Sequence, residues 1–326
     1  MQAHIDENNK SYNKPDNIVI GSDRWLFKET KGNTLFDKFI LNSIKLTYRG
    51  SRFLIGVALG KTKRDKLWNK RKITFHGFLY KYIERLRLDN TILLVFDVPK
   101  YNFKFCSRIT RKINNFLIHD VVNGMNFHEE QILKYFTPTE GDVVIDVGPA
   151  FGLYTILASK KVGPLGKVIA IEPQPEILKL LKSNINVNKL DNVTTLNYAA
   201  YSKETKLKLY SNYTIISERA KKVKGDYIEV NCNTLDNLIF QLEKIKQVNW
   251  IKIDVEGAEL EVLKGAHIIL SNNKDIALLI EIHKNSEGKN LYKEIIELLH
   301  SYNFKIEIER LDKSGEIHVI VRKQQG

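Results

Sequence analysis

The chain has 326 residues, of which 43% are hydrophobic and 27% are charged, a composition typical of a globular protein with a sizeable core. Cys106 and Cys232 lie far apart without a CxxC spacing, which excludes a thiolate zinc site and predicts buried, reduced thiols. The apolar runs are too short to cross a bilayer, and the polar N-terminus does not resemble a signal peptide. We therefore expect a soluble, cytoplasmic protein, with peripheral membrane contact left open.

The net charge of +13 is unevenly distributed along the chain. Residues 1–120 hold 24 Lys and Arg against 11 Asp and Glu, whereas residues 121–326 hold 27 against 27. The most basic run, KTKRDKLWNKRK at residues 61–72, has Asp65 as its single acid. Such a run could bind the phosphates of RNA, of a lipid-linked sugar or of an anionic membrane. A solvated helix face without a ligand is an equal alternative.

The N-terminal part is predicted to hold an arm and a small module. Residues 1–17 are Asn-rich without periodicity, which predicts a disordered arm. Residues 18–120 form the basic module, and residues 121–326 form a second domain that begins with a helix over His128–Phe136. In the module we expect two helices and then two strands that flank a turn at Pro99: Thr34–Ile44, Ile73–Leu88, Thr91–Val98 and Tyr101–Phe105.

From Gly141 onwards, short apolar strands alternate with helices, which predicts a parallel sheet covered on both faces. The expected strands are Val143–Val147, Val168–Ile171, Val193–Leu196, Trp250–Ile253 and Ile276–Ile280. The expected helices are Thr155–Lys161, Ile177–Val187, one near Leu260 and one near Tyr292. At the C-terminus, Phe304–Ile308 and Ile317–Val321 flank turn residues, which predicts an antiparallel hairpin.

The first of these strands runs into the segment GDVVIDVGPAFGLYT, whose D-x-G-x-x-x-G pattern comprises Asp146, Gly148 and Gly152. Open α/β sheets bind ligands outside the carboxyl ends of their strands, as this loop would. Gly148 allows a sharp turn and a close approach to the ligand, and Gly152 allows the next helix to begin near the sheet. Glu172 ends the second strand, where a carboxylate can accept both ribose hydroxyls. Together these features indicate an adenosine-containing cofactor.

The glycine spacing distinguishes a dinucleotide from S-adenosylmethionine as the cofactor. A dinucleotide site would read G-x-G-x-x-G, so that the pyrophosphate rests on a helix N-terminus. Asp146 would repel a pyrophosphate but could orient the amino group of a methionine moiety. We therefore favour S-adenosylmethionine over a dinucleotide and over a ligand-free core with ordinary glycine turns.

The block IKIDVEGAELEVLKGA at Ile251–Ala266 resembles the signature of FkbM-type methyltransferases. Five further motifs stand in the family's order, so that the resemblance covers about half of the chain: GDVVIDVG, AIEP, VTTLNYAAYSKE, TLD and LIEIH. The resemblance implies an α/β fold of the class I methyltransferase (Rossmann-like) kind. Its mostly parallel seven-stranded sheet has an antiparallel last strand, with which the C-terminal hairpin agrees. The basic N-terminal module matches no family that we can name.

The resemblance also implies methyl transfer from S-adenosylmethionine, generally to oxygen and often to a sugar or polyketide hydroxyl. Carried over by position, Asp146, Gly148 and Gly152 contact the methionine part of the cofactor and Glu172 contacts the ribose. The segment of Ala199 and Ala200 then lies near the adenine. The chain departs from the family at the loop, which usually reads G-A-N-x-G. Pro149 and Ala150 stand there instead, so the contact of that side-chain amide is absent.

A hydroxyl acceptor needs a base that takes its proton. Asp254 and Glu256 follow the fourth strand, where they either orient and deprotonate the acceptor or cap the helix that begins near Ala258. Glu281 and His283 end the fifth strand, where His283 is either a base or a structural residue. These four side chains could converge, but their spacing along the chain is not typical of metal ligands, so we predict no metal ion.

These observations favour an S-adenosylmethionine-dependent O-methyltransferase that acts on a glycan or glycolipid hydroxyl, with Asp254, Glu256 and His283 as catalytic residues. An RNA methyltransferase that grips nucleic acid through the basic module is the first alternative. A cofactor-binding module without catalysis is the second. The sequence predicts neither the exact acceptor nor an oligomeric state.

Overall fold

The computed structural model describes residues 18–19, 93–98, 101–108, 130–210, 215–216, 227–284, 288–311 and 316–324. The chain divides into two compact units, Met1–Phe127 and His128–Gly326. The predicted N-terminal arm, the two helices predicted before residue 90 and the basic run at 61–72 lie outside the described residues.

In the part of the first unit that the structure describes, three strands form a small sheet: β1 (Ile18–Val19), β2 (Leu93–Val98) and β3 (Phe103–Arg108). β1 pairs in parallel with β2, and β2 pairs antiparallel with β3. The two strands predicted on either side of Pro99 are therefore confirmed. Cys106 in β3 and Cys232 in the second unit are both buried free thiols, as the sequence predicted.

The described residues of the second unit form eleven strands in two sheets. In chain order they are β4 (Val143–Val147), β5 (Lys167–Ile171), β6 (Val193–Leu196), β7 (Ala199–Ala200), β8 (Thr205–Tyr210), β9 (Ile215–Ile216), β10 (Tyr227–Asn233), β11 (Trp250–Ile253), β12 (Ala277–Ile282), β13 (Phe304–Leu311) and β14 (Ile317–Lys323). All the strands predicted from the alternating pattern are present, within a few residues at their ends.

The larger sheet has seven strands in the order β13-β14-β12-β11-β4-β5-β6. The pairs β12–β11, β11–β4, β4–β5 and β5–β6 are parallel, and β14 is antiparallel to both of its neighbours. This topology confirms the predicted class I, mostly parallel sheet with a C-terminal antiparallel hairpin. The central strands are mostly apolar and almost entirely buried, because helices cover both faces of such a sheet, and Asp146 and Lys252 are the buried charged residues within them.

The described helices of the second unit lie between these strands. They are α1 (Glu130–Leu133), α2 (Leu153–Val162), α3 (Pro175–Val187), a π-helix (Asn237–Leu242), α4 (Glu259–Lys264), α5 (His267–Asn272) and α6 (Tyr292–Ser301). Within the described residues, no helix is long and apolar enough to cross a membrane.

The helix predicted over His128–Phe136 ends earlier than expected, since α1 stops at Leu133. Phe136 lies beyond the helix end and packs edge-on against the rings of Tyr154 and Trp250, with ring centroids 5.2 Å apart in both pairs. Aromatic pairs of this geometry contribute about 1 kcal/mol each beyond burial. Packing of this side chain between α2 and β11 therefore outweighs continuation of a short helix.

The smaller sheet, in the order β7-β10-β8-β9, was not predicted. Leu207 and Leu209 in β8 face Val230 and Cys232 in β10, and together with Ala199 they form a core of their own. The alternating pattern KLKL in β8 is a genuine strand signal. The two-residue strands β7 and β9 are too short to produce one.

Candidate active site

The residues predicted to carry function fall into two groups at the carboxyl ends of neighbouring parallel strands. The cofactor group follows β4 and β5 and comprises Asp146, Gly148, Gly152 and Glu172. The second group surrounds the carboxyl ends of β11 and β12, and we call it the acidic–histidine cluster. Its members are Asp254, Glu256, Glu259, Glu281, His283 and Glu316. Because β11 pairs with β4, the two groups are neighbours.

The glycines of the loop are required by the protein itself. Gly148 has φ +73°, and a Cβ atom there would lie 1.9 Å from the carbonyl oxygen of Asp254. Gly152 has φ +95°, and a Cβ atom there would lie 2.5 Å from Cδ1 of Leu181. The sequence interpretation assigned the close approach at Gly148 to a ligand. The structure assigns it to the backbone of Asp254, which joins the loop to the acidic–histidine cluster.

Ala150, where the chain departs from the family pattern, has φ +47°. Among residues with a side chain, Asn adopts this left-handed region most readily, and other residues are destabilised there by about 1 kcal/mol. The loop thus keeps a backbone conformation that suits Asn although the side-chain amide is absent. The backbone N–H of Gly152 donates to the carbonyl of Pro149 at 2.8 Å and closes the turn.

Asp146 lies beneath this loop with a fully buried side chain. Its Oδ2 accepts a hydrogen bond from the Thr155 hydroxyl at 2.6 Å, and its Oδ1 has no hydrogen-bond partner among the described residues. Burial raises the pKa of this carboxyl, and the nearby Lys252 ammonium opposes the rise. Contact with the methionine part of a cofactor stays a prediction for Asp146.

Lys252 connects the two groups, and the sequence interpretation missed it. Its ammonium is almost fully buried and donates to the Gly148 carbonyl and to Oδ2 of Asp254, both at 3.0 Å. It also lies 3.8 Å from Oδ1 of Asp146. The available signal was a single lysine inside the apolar strand WIKI, directly before the acidic motif, since buried lysines occur where a carboxylate pairs with them.

Glu172 is also buried, with 7% of its surface exposed. Its Oε1 accepts a hydrogen bond from the backbone N–H of Gln174 at 2.9 Å. Burial raises the pKa of this carboxyl to about 7, more than that hydrogen bond lowers it. A carboxylate that is desolvated in this way gains from further hydrogen-bond donors, which is the chemistry that two ribose hydroxyls offer.

Ala199 and Ala200 form β7 at the edge of the smaller sheet, and both side chains are buried. Asn197, just before them, donates to the carbonyls of Glu172 and Pro173, both at 2.9 Å. These bonds hold the segment beside the end of β5. Its proximity to adenine stays a prediction.

The aspartate of the TLD motif has a structural role. Asp236 accepts hydrogen bonds from the backbone N–H groups of Ile268 at 2.7 Å and Ile269 at 2.9 Å. These groups belong to the first turn of α5 and have no partner within the helix. Asp236 therefore caps a helix that lies about 30 residues further along the chain.

His283 lies at the centre of the acidic–histidine cluster. Its Nδ1 is 3.0 Å from Oε1 of Glu259, a fully buried carboxylate that also accepts a hydrogen bond from the backbone N–H of Gly257. Its Nε2 lies 3.6 Å from Glu281, 3.7 Å from Glu316 and 3.9 Å from Glu256. Burial alone would lower the pKa of His283. The bond to Glu259 and the surrounding carboxylates outweigh it and raise the pKa to about 10, so the cluster attracts positive charge.

Asp254 and Glu256 are both in this cluster, and the alternative that they cap a helix is wrong. α4 begins at Glu259 after Ala258 and has no side-chain cap. Asp254 is instead paired with Lys252, and about a quarter of its side chain is exposed (23%). Glu256 has φ +55°, and 55% of its side chain is exposed. The fold therefore brings together all three residues that were predicted to be catalytic.

The chain is similar to known methyltransferases. Residues 146–306 match the methyltransferase FkbM domain. Methyltransferase 1 from Beauveria bassiana is 24% identical over 52% of this chain and 74% of its own length. Hexuronic acid methyltransferase AglP from Haloferax volcanii is 28% identical over 57% of this chain and 72% of its own length. A methyltransferase structure from Aquifex aeolicus aligns with 61% of this chain and 90% of its own, with a TM-score of 0.35 and 22% identity.

The sheet, the glycine loop and the buried acid after β5 define an S-adenosylmethionine-dependent methyltransferase. Within that class, residues 146–306 form a methyltransferase domain of the FkbM type, which spans the loop, the acidic motif and the end of β12. S-adenosylmethionine is its methyl donor. The residues fit this donor through the desolvated Glu172 carboxylate and the tightly turned loop that follows β4.

Proposed function

We propose that this methyltransferase acts on oxygen and that its acceptor is a hydroxyl of a glycan or glycolipid. The observation that carries the proposal is the acidic–histidine cluster beside the cofactor loop. Asp254 is common to both, since its carbonyl packs on Gly148 and its carboxylate lies in the cluster. An acceptor bound at the cluster would be next to the loop that holds the methyl donor.

The chemistry of the cluster suits a hydroxyl. S-adenosylmethionine supplies a methyl group on a sulfonium, and the acceptor oxygen must be held in line with that methyl carbon. The oxygen gains the methyl group, the carbon–sulfur bonding pair stays on sulfur, and the hydroxyl proton must leave. Carboxylates at Asp254 and Glu256 accept hydrogen bonds from hydroxyls and orient them, and they provide a first acceptor for the proton. His283 lies 3.9 Å from Glu256 and places positive charge beside these carboxylates.

The glycan assignment is supported by the relative from Haloferax volcanii, which is named for methylation of hexuronic acid. Its sequence aligns over 185 residues of this chain, at 28% identity. Sugars also present neighbouring hydroxyls, which match a site built from several carboxylate oxygens.

The proposal is tested with purified protein, isotope-labelled S-adenosylmethionine and three separate acceptor pools: glycans that contain uronic acids, glycolipids and RNA. We expect label in the glycan or glycolipid pool, with mass spectrometry locating a methyl ether on a sugar oxygen. Glu172→Ala should lose cofactor binding and labelling together. Asp254→Asn should bind the cofactor, as measured by calorimetry, but lose labelling. Label in RNA alone would overturn the proposal.

A further inference from the structure

The acidic–histidine cluster has the composition of a cation site. Its carboxylates come from three places in the fold, after β11, within β12 and before β14, and they surround one imidazole. Lys252 pairs with Asp254, and His318 lies 3.8 Å from Glu281. Five carboxylates therefore face Lys252, His283 and His318, which leaves negative charge to be compensated.

His283 is oriented in the way that metal-ligating histidines are. Glu259 holds Nδ1, so Nδ1 carries a proton and Nε2 points to the other carboxylates at 3.6–3.9 Å. A buried carboxylate on one ring nitrogen is the usual support of a histidine whose other nitrogen binds a metal. Neighbouring ligand atoms around a divalent ion lie about 3 Å apart, so small side-chain movements would close this cage.

Glu259 provides a second, independent observation, a buried carboxylate oxygen that is not satisfied. Its side chain is fully buried, and its Oε2 has no hydrogen-bond partner among the described residues. A buried, incompletely satisfied carboxylate is strongly destabilising unless a positive charge compensates it. A divalent cation that replaces the proton on Nε2 of His283 would supply that compensation through the imidazole.

We propose that Asp254, Glu256 and His283 bind a divalent cation of the first transition row, such as Mn²⁺. The ligand atoms of these three residues lie within 4.8 Å of one another. One imidazole nitrogen with carboxylate oxygens suits such an ion better than Mg²⁺, which prefers oxygen ligands, or a thiolate-bound Zn²⁺. Glu281, His283 and Glu316 form a second triad, but the first triad contains Asp254, whose carbonyl packs on Gly148 of the cofactor loop.

The location of the triad indicates what the ion would do. Asp254 follows β11, and its carbonyl packs on Gly148 of the cofactor loop. Three protein ligands leave coordination positions open, and a sugar hydroxyl at one of them would become more acidic and would be held in place. This role rests on the proposed function, whereas the binding of the ion does not.

The test measures Mn²⁺ directly. Chelator-treated full-length protein is titrated with Mn²⁺, and free Mn²⁺ is followed by electron paramagnetic resonance. We expect one ion per chain. Asp254→Asn, Glu256→Gln and His283→Ala should each weaken binding about 10- to 100-fold. Calorimetry with S-adenosylmethionine verifies that each variant is folded.

Glu316→Gln is the matched control, because it removes one carboxylate charge from the same cluster but none of the three proposed ligands. Its Kd for Mn²⁺ should stay within about two-fold of wild type, a small part of the effect of losing a ligand. No binding by wild type would overturn the proposal. So would weaker binding in Glu316→Gln with unchanged binding in Asp254→Asn, which would move the ion to the second triad.

The two proposals fail separately. Mn²⁺ binding that depends on the triad, without methylation of any glycan or glycolipid, would reject the acceptor and retain the ion site. Full methylation of a glycan in the presence of chelator, together with no Mn²⁺ binding, would reject the ion site and retain the acceptor.

Discussion

At the scale of single residues, two buried charged side chains support the site: Lys252 pairs with Asp254, and Glu259 contacts His283. Asp254, Glu256 and His283 were predicted from their places after strands, and the fold brings them together. Lys252 and Glu259, which contact these residues, were not predicted. Each pairs with a residue that is distant along the chain. Glu259 contacts His283, and Lys252 lies near Asp146 on another strand. Such pairings follow from strand order, which local periodicity does not encode.

Lys252 is the residue whose loss should affect the site most widely. Lys252→Met keeps most of the side-chain volume but leaves Asp146 buried without its nearby cation, which should cost about 3 kcal/mol of unfolding free energy. The Gly148 carbonyl also loses a donor, so affinity for S-adenosylmethionine should fall. Urea unfolding and calorimetry measure the two effects. The double variant Lys252→Met with Asp146→Asn should recover part of the stability, and equal stability of wild type and Lys252→Met would contradict the pairing.

Glu172 should make both stability and cofactor binding depend on pH. Its pKa in the folded protein is about 7, above its ordinary value of 4.5. The folded state therefore binds more protons than the unfolded state, and stability should fall as pH rises from about 4.5 to 7. Glu172→Gln has no carboxyl to ionise at this position and so lacks this loss of stability. The stability of Glu172→Gln minus that of wild type should therefore be larger at pH 8 than at pH 5.

The affinity for the cofactor should depend on pH in the opposite direction to stability. Ribose hydroxyls donate to the ionised carboxylate, so affinity for S-adenosylmethionine should rise as pH increases through about 7, with release of a proton. Calorimetry in buffers of different ionisation enthalpy measures that proton. Proton release that persists unchanged in Glu172→Gln would assign it to another group.

At the scale of elements, long apolar strands and the terminal hairpin were predictable because one burial pattern runs through each of them. One helix was predicted near Leu260, whereas the structure has α4 and α5 with a break between them. Gly265 lies at the break, and a Cβ atom there would be 2.0 Å from the carbonyl of Tyr201. The smaller sheet thus determines where α4 ends. That contact between distant segments leaves no periodic signal in the sequence.

Two glycines that flank β4 allow the cost of backbone strain to be separated from the cost of a steric clash. Gly148→Ala and Gly141→Ala both put a side chain at positive φ, at +73° and +87°. At Gly141 nothing lies within 4 Å of the new Cβ atom, so only backbone strain of about 1–2 kcal/mol is expected. At Gly148 the Asp254 carbonyl must also move, so stability should fall further. Affinity for S-adenosylmethionine should fall in Gly148→Ala but not in Gly141→Ala. Chemical unfolding measures stability, and calorimetry measures the affinity. Equal losses in both variants would reject this account.

At the scale of the whole molecule, charge and chemistry belong to different parts of the chain. The excess of positive charge lies within residues 1–120, whereas the FkbM domain lies in the neutral remainder. A glycolipid acceptor would present its sugar at a phosphate-bearing surface. A basic segment would then raise the local concentration of the enzyme there without contacting the reacting atoms.

This division predicts that anion binding and cofactor binding respond to different substitutions. Changing the four basic residues between Lys61 and Lys66 to Gln should weaken binding to vesicles with anionic phospholipids and reduce its salt dependence. Affinity for S-adenosylmethionine should not change. The matched control removes the same charge from four exposed lysines of the second unit: Lys206, Lys246, Lys274 and Lys305. Equal weakening in both variants would show that net charge, rather than the basic run, attracts the surface. If only RNA binding responds to the run, the RNA alternative is favoured.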